Sequence, residues 1–176
     1  MYMISAKYIL SESEIKLAEK IGRRRCFSKN RTIVQNDSGY HQERDRSFPH
    51  VIGVKAEIAY ASVAGKTVNQ DYFEFTGDQD DFDGIEVKTS TWRGEDIELK
   101  VKVSEYRRKN PIGYVLCRLI GNEVTFMGSI NRKRFDNEKY LRKHKFVENY
   151  CVLAKQLSPK LPVKIDSKIV LFDLKQ

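Results

Sequence analysis

Residues 50–64 predict a helix whose apolar residues cover most of its circumference instead of forming one stripe. Pro49 precedes this segment and Gly65 follows it, and these residues are favoured at the first turn of a helix and just beyond its end. A helix that is apolar on nearly every side has to be covered on nearly every side. We therefore expect this helix to be largely buried.

Glu57 lies in the middle of the predicted helix. A buried carboxylate is costly unless it is paired with a base or bound to a cation. In one interpretation Glu57 forms an ion pair with Lys55 or with a more distant base. In the other it is an acid of a catalytic site, and the acidic hairpin described below favours this second interpretation.

Strands are predicted in much of the remaining chain. Residues 97–103 alternate between apolar and charged, which indicates a strand with one face in water. Residues 112–120 are almost all apolar, which is typical of a central strand. Gly121 and Asn122 then turn the chain into the next strand. The other predicted strands are 72–75, 85–91, 124–128 and 169–172.

Helices are predicted towards both ends of the chain. Ser11 and Glu14 have the spacing of a capping box, and they begin a helix that we expect to end at Gly22. A basic helical stretch is expected over 132–145 and an amphipathic stretch over 146–157. This order of elements predicts an α/β fold, bordering on α+β, with a central mixed β-sheet flanked by helices. We expect a single domain over residues 1–176, with its core at about 50–130.

Charge is unevenly distributed along the chain. The net charge is +8, yet residues 71–98 contain ten of the 24 acidic residues and only two of the 32 basic ones. That segment carries a formal charge of −8 and the rest of the chain +16. A basic body favours a polyanionic partner, which the acidic segment would repel. The basic run at 23–31 is either a solvated surface or an arm that contacts phosphate.

The acidic segment contains a hairpin signal. Asp83 and Gly84 lie between strand-like residues, and this pair favours a two-residue turn because Gly tolerates positive φ. With this turn, Asp81 faces Glu86 across the ladder. Because side chains alternate along a strand, Asp81, Glu86 and Lys88 share one face. The opposite face is predicted to pack into the core, and it consists of Phe82, Ile85 and Val87.

Carboxylates that oppose each other in a hairpin are destabilising unless something offsets their repulsion. A divalent cation would do so, because Mg²⁺ binds one or two carboxylates together with waters and phosphate oxygens. Lys88 lies on the same face, near enough to contact the same water or phosphate. A solvated acidic loop is the alternative, and we favour it for Asp78, Asp80 and Asp83.

This region resembles the PD-(D/E)XK nuclease superfamily, which has the restriction-endonuclease-like fold shared by Holliday-junction resolvases. The resemblance rests on the helix with Glu57, the hairpin Asp, the Glu-x-Lys pattern at 86–88 and a further strand at 114–118. The Pro that precedes the Asp in this family is absent. Asp81 and Asp83 are therefore both candidate metal ligands, and the hairpin geometry favours Asp81.

The resemblance implies a Mg²⁺-dependent endonuclease that hydrolyses phosphodiester bonds of DNA, with Mn²⁺ as a substitute. Asp81, Glu86 and the carbonyl of Val87 would bind the metal. Glu57 would bind it through water or help to hold a second ion, and Lys88 would position or help to deprotonate the attacking water. Both restriction-like enzymes and structure-selective ones, such as junction resolvases and nicking enzymes, fit this outline.

Residues beside the predicted metal site are expected to contact nucleic acid, and they are Thr89, Ser90, Lys100, Lys102, Arg107 and Arg108. Phosphate contacts of this kind position DNA without reading its sequence. We expect Trp92, the only Trp, to pack in a partly buried position, with base stacking as the alternative. Analogy with resolvases and restriction enzymes makes a homodimer an option.

Other classes of function stay open. One is a nucleic-acid-binding module with a decayed PD-(D/E)XK site, although all the candidate catalytic side chains are present. Another is a structural protein with a solvated acidic loop, which leaves the apolar helix around Glu57 unexplained. We expect a cytoplasmic protein without a membrane partner. No apolar run approaches the ~18 residues of a membrane span, and the three Cys have no metal-binding spacing.

Overall fold

The computed structural model describes residues 6–29, 47–68, 80–144, 147–165 and 168–173. The helices in these ranges are α1 (Glu12–Lys29), α2 (Phe48–Ala64), α3 (Val103–Arg108) and α4 (Arg132–Phe135). The strands are β1 (Lys7–Ile9), β2 (Ile85–Ser90), β3 (Glu98–Lys102), β4 (Gly113–Ile120), β5 (Glu123–Asn131), β6 (Leu141–His144), β7 (Val147–Leu153), β8 (Lys160–Ile165) and β9 (Lys168–Asp173). The predicted strand at 72–75 lies outside the described residues. The fold is therefore of mixed α and β structure, as predicted.

Helix α1 begins where the sequence predicts but extends further. The backbone N–H of Ser11 donates to Oε2 of Glu14 at 2.8 Å, and the N–H of Glu14 donates to Oγ of Ser11 at 3.4 Å, which completes the capping box. The predicted end at Gly22 is wrong, because α1 continues to Lys29. Gly22 lies against α2 instead, where a Cβ would be 2.6 Å from Cγ2 of Val51. This glycine therefore permits close helix packing and does not end the helix.

Helix α2 confirms the prediction of a buried helix. Pro49 lies in its first turn, and Gly65 follows its last residue with a left-handed φ of 63°. Helix α1 packs on one side of α2 and strand β2 on another. None of the helices in the described ranges is long and apolar enough to cross a membrane. The buried residues of α2 are Val54, Ala56, Glu57, Ile58, Ala59, Tyr60 and Ala61.

A four-stranded mixed sheet carries these two helices on one face. Its strand order is β1–β5–β4–β2, in which β2 and β4 are parallel and the other pairs antiparallel. The predicted central strand is β4, which lies between β5 and β2. Alternate side chains of β4 pack on opposite faces: Val115 and Cys117 belong to the core beneath the helices, whereas Tyr114 and Leu116 belong to a second core on the other face.

The other face of the mixed sheet is covered by a second sheet. This sheet is antiparallel, with the order β3–β7–β6. In β3, Leu99 and Val101 are buried while Lys100 and Lys102 are exposed, which confirms the predicted alternation. Strands β8 and β9, the latter containing the predicted last strand, pair separately as an antiparallel hairpin. The predicted mixed sheet is therefore present, but α1 and α2 flank only one of its faces.

The predicted basic helix over 132–145 is wrong. Over residues 132–144, which the structure describes, only α4 is α-helical, and a short 3₁₀ turn at Glu138–Tyr140 and strand β6 follow it. Phe135 and Tyr140 are both buried in the aromatic core between the sheets. In a continuous helix, residues five apart point to different sides, because one turn takes 3.6 residues. The change of conformation between Phe135 and Tyr140 lets both rings enter the same aromatic core.

Candidate functional site

The predicted Asp-Gly turn is confirmed. Phe82 and Ile85 exchange both backbone hydrogen bonds, at 3.0 and 2.7 Å, and the two turn residues have φ of 44° and 93°. This pair is an isolated bridge, so the predicted ladder does not extend to Asp81. The carboxylate of Asp81 reaches β2 by a different route, because its Oδ2 accepts the backbone N–H of Val87 at 2.8 Å. Asp81 therefore contacts β2 through its carboxylate and not through backbone pairing.

Glu86, in β2, is buried and contacts two lysines. Nζ of Lys109 lies 2.7 and 2.8 Å from its two carboxylate oxygens, and Nζ of Lys88 lies 2.9 Å from Oε1. Lys88 also donates to Oε1 of Glu105 at 2.5 Å. These four side chains form a cluster of alternating charge. Each carboxylate is compensated by an ammonium group, which is the condition under which charges tolerate burial.

Glu105 in α3 and Lys109, the residue that follows this helix, are the two members of this cluster outside the predicted metal site. Lys109 caps the C-terminal end of α3. The N–H of Lys109 donates to the carbonyl of Glu105 at 2.9 Å. Arg132 donates to the carbonyl of Lys109 at 2.6 Å, and its guanidinium lies 4.1 Å from the centre of the Tyr106 ring. The spacing of Glu105 and Lys109 is visible in the sequence, but the residues that they face depend on how α3 packs.

Glu57 forms a buried, two-pronged ion pair with Arg25. The two guanidinium nitrogens lie 2.6 and 2.8 Å from the two carboxylate oxygens. The interpretation of Glu57 as the partner of a distant base is therefore confirmed, and neither a solvated nor a phosphate-contacting role fits Arg25. Lys55, the nearer option, donates to Asn122 at 3.2 Å. No sequence pattern links Arg25 to Glu57, because they are 32 residues apart and meet only where α1 crosses α2.

One cavity of about 430 Å³ brings the predicted catalytic residues together. We call it the carboxylate cavity. Helix α2, the Asp-Gly turn and strand β2 each contribute to it, because α2 packs against β2. The predicted residues that line it are Glu57, Asp81, Glu86, Val87, Lys88, Lys102 and Arg108. Arg25, Glu105 and Lys109 also line it, and none of the three was predicted to belong to the metal site.

The pKa of Asp81 is raised well above its usual range. Burial is the largest cause, and the carboxylates of Glu57 and Glu86 add to it, while the hydrogen bond from Val87 acts against it. The pKa of Asp80, for which a solvated loop was predicted, is raised as well, by burial and by Glu86. Negative charge is therefore crowded around Asp81.

The pKa of Lys88 is also raised. Burial alone would lower it, but the carboxylates of Glu86 and Glu105 stabilise the ammonium form and outweigh burial. Burial alone would raise the pKa of Glu105, yet Lys88 and Lys109 bring it below its usual value. Lys88 is thus protonated at neutral pH, so it donates hydrogen bonds and has no lone pair with which to accept a proton.

The donor set for a metal ion is small. No group of three or more His, Cys, Asp or Glu side chains is placed to hold a metal among the residues that the structure describes. Mg²⁺ does not need such a group, because it commonly binds one or two carboxylates and keeps several waters. Asp81 and Glu86 line the same cavity, and a cation there would relieve the repulsion around Asp81. Mg²⁺ therefore fits Asp81, and it fits Glu86 only where the ion displaces Lys109, whose Nζ lies within hydrogen-bond distance of both carboxylate oxygens.

The carbonyl of Val87 completes this donor set. In a strand, the N–H and C=O of one residue point to the same side. The N–H of Val87 points to Asp81, so its carbonyl lies on that same side of β2. Glu57 fits an indirect contact, because both of its oxygens already accept hydrogen bonds from Arg25.

A second cavity, of about 440 Å³, adjoins the first and shares Lys88 with it. We call it the tryptophan cavity. Trp92 lines it and is 61% exposed. The prediction that Trp92 packs in a partly buried position is therefore wrong. The predicted nucleic-acid contacts divide between the two cavities. Those in the tryptophan cavity are Thr89, Ser90 and Lys100, those in the carboxylate cavity are Lys102 and Arg108, and Arg107 is exposed on α3.

Comparisons with known proteins give no further indication of what these cavities bind. Neither a protein-family model, nor a curated protein, nor a solved structure matches this chain. The function is therefore inferred from the contacts and charges of the described residues.

Proposed function

We propose that this protein is a Mg²⁺-dependent endonuclease that hydrolyses phosphodiester bonds of DNA. The observation that carries the proposal is the convergence of Glu57, Asp81, Glu86 and Lys88 on the carboxylate cavity from three separate segments. Solvated surface acids would lie apart in water, whereas Glu57 and Glu86 are buried. Clustered carboxylates and a lysine around one cavity suit metal-assisted hydrolysis of a phosphate ester. A restriction-endonuclease-like core is part of this proposal.

Asp81, Glu86 and the carbonyl of Val87 hold Mg²⁺ in this proposal, with Mn²⁺ as a substitute, and Glu57 contacts the ion through water. When bound, the ion would stabilise charge on the scissile phosphate and lower the pKa of an attacking water. Arg25 orients Glu57, because its two hydrogen bonds engage both carboxylate oxygens.

Lys88 positions the attacking water or a phosphate oxygen. Its ammonium group has three donors, and contacts with Glu86 and Glu105 use two of them. The third is left for a ligand in the cavity. Glu105 is a positioning residue, because it acts on the reaction through Lys88. The raised pKa of Lys88 supports hydrogen-bond donation over removal of a proton from water.

The test is cleavage of supercoiled and branched DNA in Mg²⁺ and in EDTA. We expect nicked or shortened products in Mg²⁺ alone, and a rate at least about 100-fold lower for Lys88→Ala, because a donor to the transition state is lost. Lys16→Ala is the matched control, since Lys16 is exposed on α1, about 13 Å along the helix from Arg25. Its cleavage rate should equal that of the unmodified protein.

A second candidate function is a nucleic-acid-binding module whose catalytic site has decayed. The observation that favours it is the contact of Lys109 with both oxygens of Glu86, which neutralises a carboxylate that a metal would otherwise bind. This candidate predicts DNA binding with no metal-dependent cleavage of any substrate. The same result would contradict the endonuclease proposal.

A further inference from the structure

The tryptophan cavity has the size and lining of a ligand site. Its volume of about 440 Å³ lies in the range of small-molecule pockets. Buried Leu116 contributes an apolar part, and Trp92 contributes an exposed aromatic ring. Oγ1 of Thr89 is buried and has no hydrogen-bond partner among the described residues. An aromatic ring and an apolar surface thus line one space, and a residue with an unsatisfied hydroxyl borders it.

The position of Trp92 depends on the loop between β2 and β3. The backbone N–H of Trp92 donates to Oγ of Ser90 at 3.2 Å, which ties the loop to the end of β2. The indole lies across Gly94, where a Cβ would be 2.5 Å from Nε1. The missing side chain of Gly94 therefore makes room for the ring beside the cavity.

The charges of the tryptophan cavity favour a base over a phosphate. Asp96 and Glu98 line it and would repel a phosphate group. Lys100 is paired with Glu98 at 3.2 Å, which reduces its attraction for an anion. Carboxylates instead accept hydrogen bonds from exocyclic amino groups such as that of cytosine. A planar base with an amino edge matches both the ring of Trp92 and these carboxylates.

We propose that the tryptophan cavity binds one unpaired nucleobase, stacked on Trp92, next to the phosphate that is cleaved. This inference rests on the proposed function. Lys88 lines both cavities, so a base in one would lie next to a phosphate in the other. A base within a continuous duplex is already stacked on both sides and must be extruded before it reaches such a ring. The substrate class is therefore DNA with single-stranded or unpaired nucleotides, which favours structure-selective over restriction-like cleavage.

Intrinsic fluorescence tests the site directly, because Trp92 is the only Trp in the chain. The unmodified protein is titrated in EDTA with oligo-deoxycytidine and with an abasic oligonucleotide of the same length. We expect the cytidine oligomer to quench the fluorescence and the abasic one to leave it unchanged. Equal quenching by both, or quenching by neither, would overturn the proposal.

Affinities measured by anisotropy of labelled oligonucleotides give the matched comparison. Trp92→Ala should weaken binding of oligo-deoxycytidine about 5- to 100-fold, the usual effect of losing one stacked base, and leave abasic binding unchanged. Arg93→Ala is the control from the same exposed loop, and it should affect both oligonucleotides equally. Oligo-deoxythymidine, which lacks an amino edge, should bind more weakly than oligo-deoxycytidine. Equal binding of the two would overturn the role given to Asp96 and Glu98.

The two proposals fail in different ways. Base-dependent quenching without metal-dependent cleavage would retain the base site and overturn the endonuclease. Metal-dependent cleavage of duplex DNA that Trp92→Ala leaves unchanged would retain the endonuclease and overturn the base site.

Discussion

The carboxylate cavity and the tryptophan cavity share Lys88, but they differ in how their charges are compensated. In the first, charged groups are buried and paired at short distance, as in Arg25 with Glu57 at 2.6 Å. In the second, the ion pair of Lys100 with Glu98 is longer, at 3.2 Å, and its lysine is 63% exposed. An exposed pair contributes little stability, whereas breaking a buried one is expensive.

This difference indicates that the two cavities have different roles. The paired groups of the carboxylate cavity hold each other in fixed positions, which is what a reaction centre requires. The tryptophan cavity keeps an exposed aromatic ring available for a ligand. Changes in the first cavity should therefore alter stability and catalysis, and changes in the second should alter binding.

The largest effect on stability is expected for Arg25→Ala. It leaves the buried carboxylate of Glu57 without its partner, which should lower the free energy of unfolding by about 3–5 kcal/mol. Arg23→Ala, an exposed change on the same helix, should stay within about 0.5 kcal/mol. Trp92→Ala should also have little effect. Urea unfolding measures all three, and a loss below about 1 kcal/mol for Arg25→Ala would remove the contrast between the cavities.

An intermediate effect on stability is expected for Asp81→Asn. The pKa of Asp81 is raised in the folded protein, so the stability that its protonated form provides is present at low pH and lost as pH rises through that pKa. Removing the ionisation should increase the free energy of unfolding at pH 7 in EDTA, by about 1.4 kcal/mol for each unit of the pKa difference between folded and unfolded states. At about pH 3, below the unfolded pKa, the two proteins should be equally stable. Denaturant unfolding at both pH values measures this.

Asp83→Asn is the control for this change, and it also distinguishes the two candidate ligands. Asp83 is exposed in the turn, and Asn tolerates its positive φ. Mg²⁺ should raise the unfolding midpoint at pH 7 for the unmodified protein and for Asp83→Asn, but not for Asp81→Asn. Loss of the Mg²⁺ effect in Asp83→Asn instead would identify Asp83 as the ligand.

The smallest of the expected effects is a change in DNA affinity when a single lysine at either cavity is replaced. Lys102→Ala should weaken DNA binding and reduce the slope of log affinity against log salt by about 1, because one phosphate contact is lost. Lys100→Ala should change the slope less, since Lys100 is already paired with Glu98. Anisotropy titrations between about 50 and 200 mM salt measure both. A larger effect of Lys100→Ala would indicate that phosphate, and not a base, binds at the tryptophan cavity.

Local patterns were sufficient to predict several parts of the fold. The buried helix α2 followed from apolar residues on all its sides, and the Asp-Gly turn followed from backbone conformations that Gly adopts at low cost. The alternation of β3 and the apolar run of β4 were correct for the same reason. In each case the physical cause lies within a few consecutive residues.

Other parts depended on contacts between distant segments. Gly22 has the chemistry of a helix end, but it lies inside α1 because Val51 packs against it. The rings of Phe135 and Tyr140 are drawn into the core between the sheets, so a segment with helical character forms a turn and a strand. Propensity is a weak preference, and burial of large side chains overrides it.

For the candidate site, the amino-acid sequence by itself determined which acids and which lysine stand out: Glu57, Asp81, Glu86 and Lys88. Their spacing around an Asp-Gly turn and within one strand is a local property. Only the tertiary structure decided their partners, because Arg25 lies in α1, Glu105 in α3 and Lys109 just after α3. Buried charges take the partner that packing brings within hydrogen-bond distance, and chain separation does not limit that choice. The tertiary structure likewise decided that Trp92 lies exposed beside a cavity that Lys88 also lines, because the cavity forms only where β2, β3 and β4 come together.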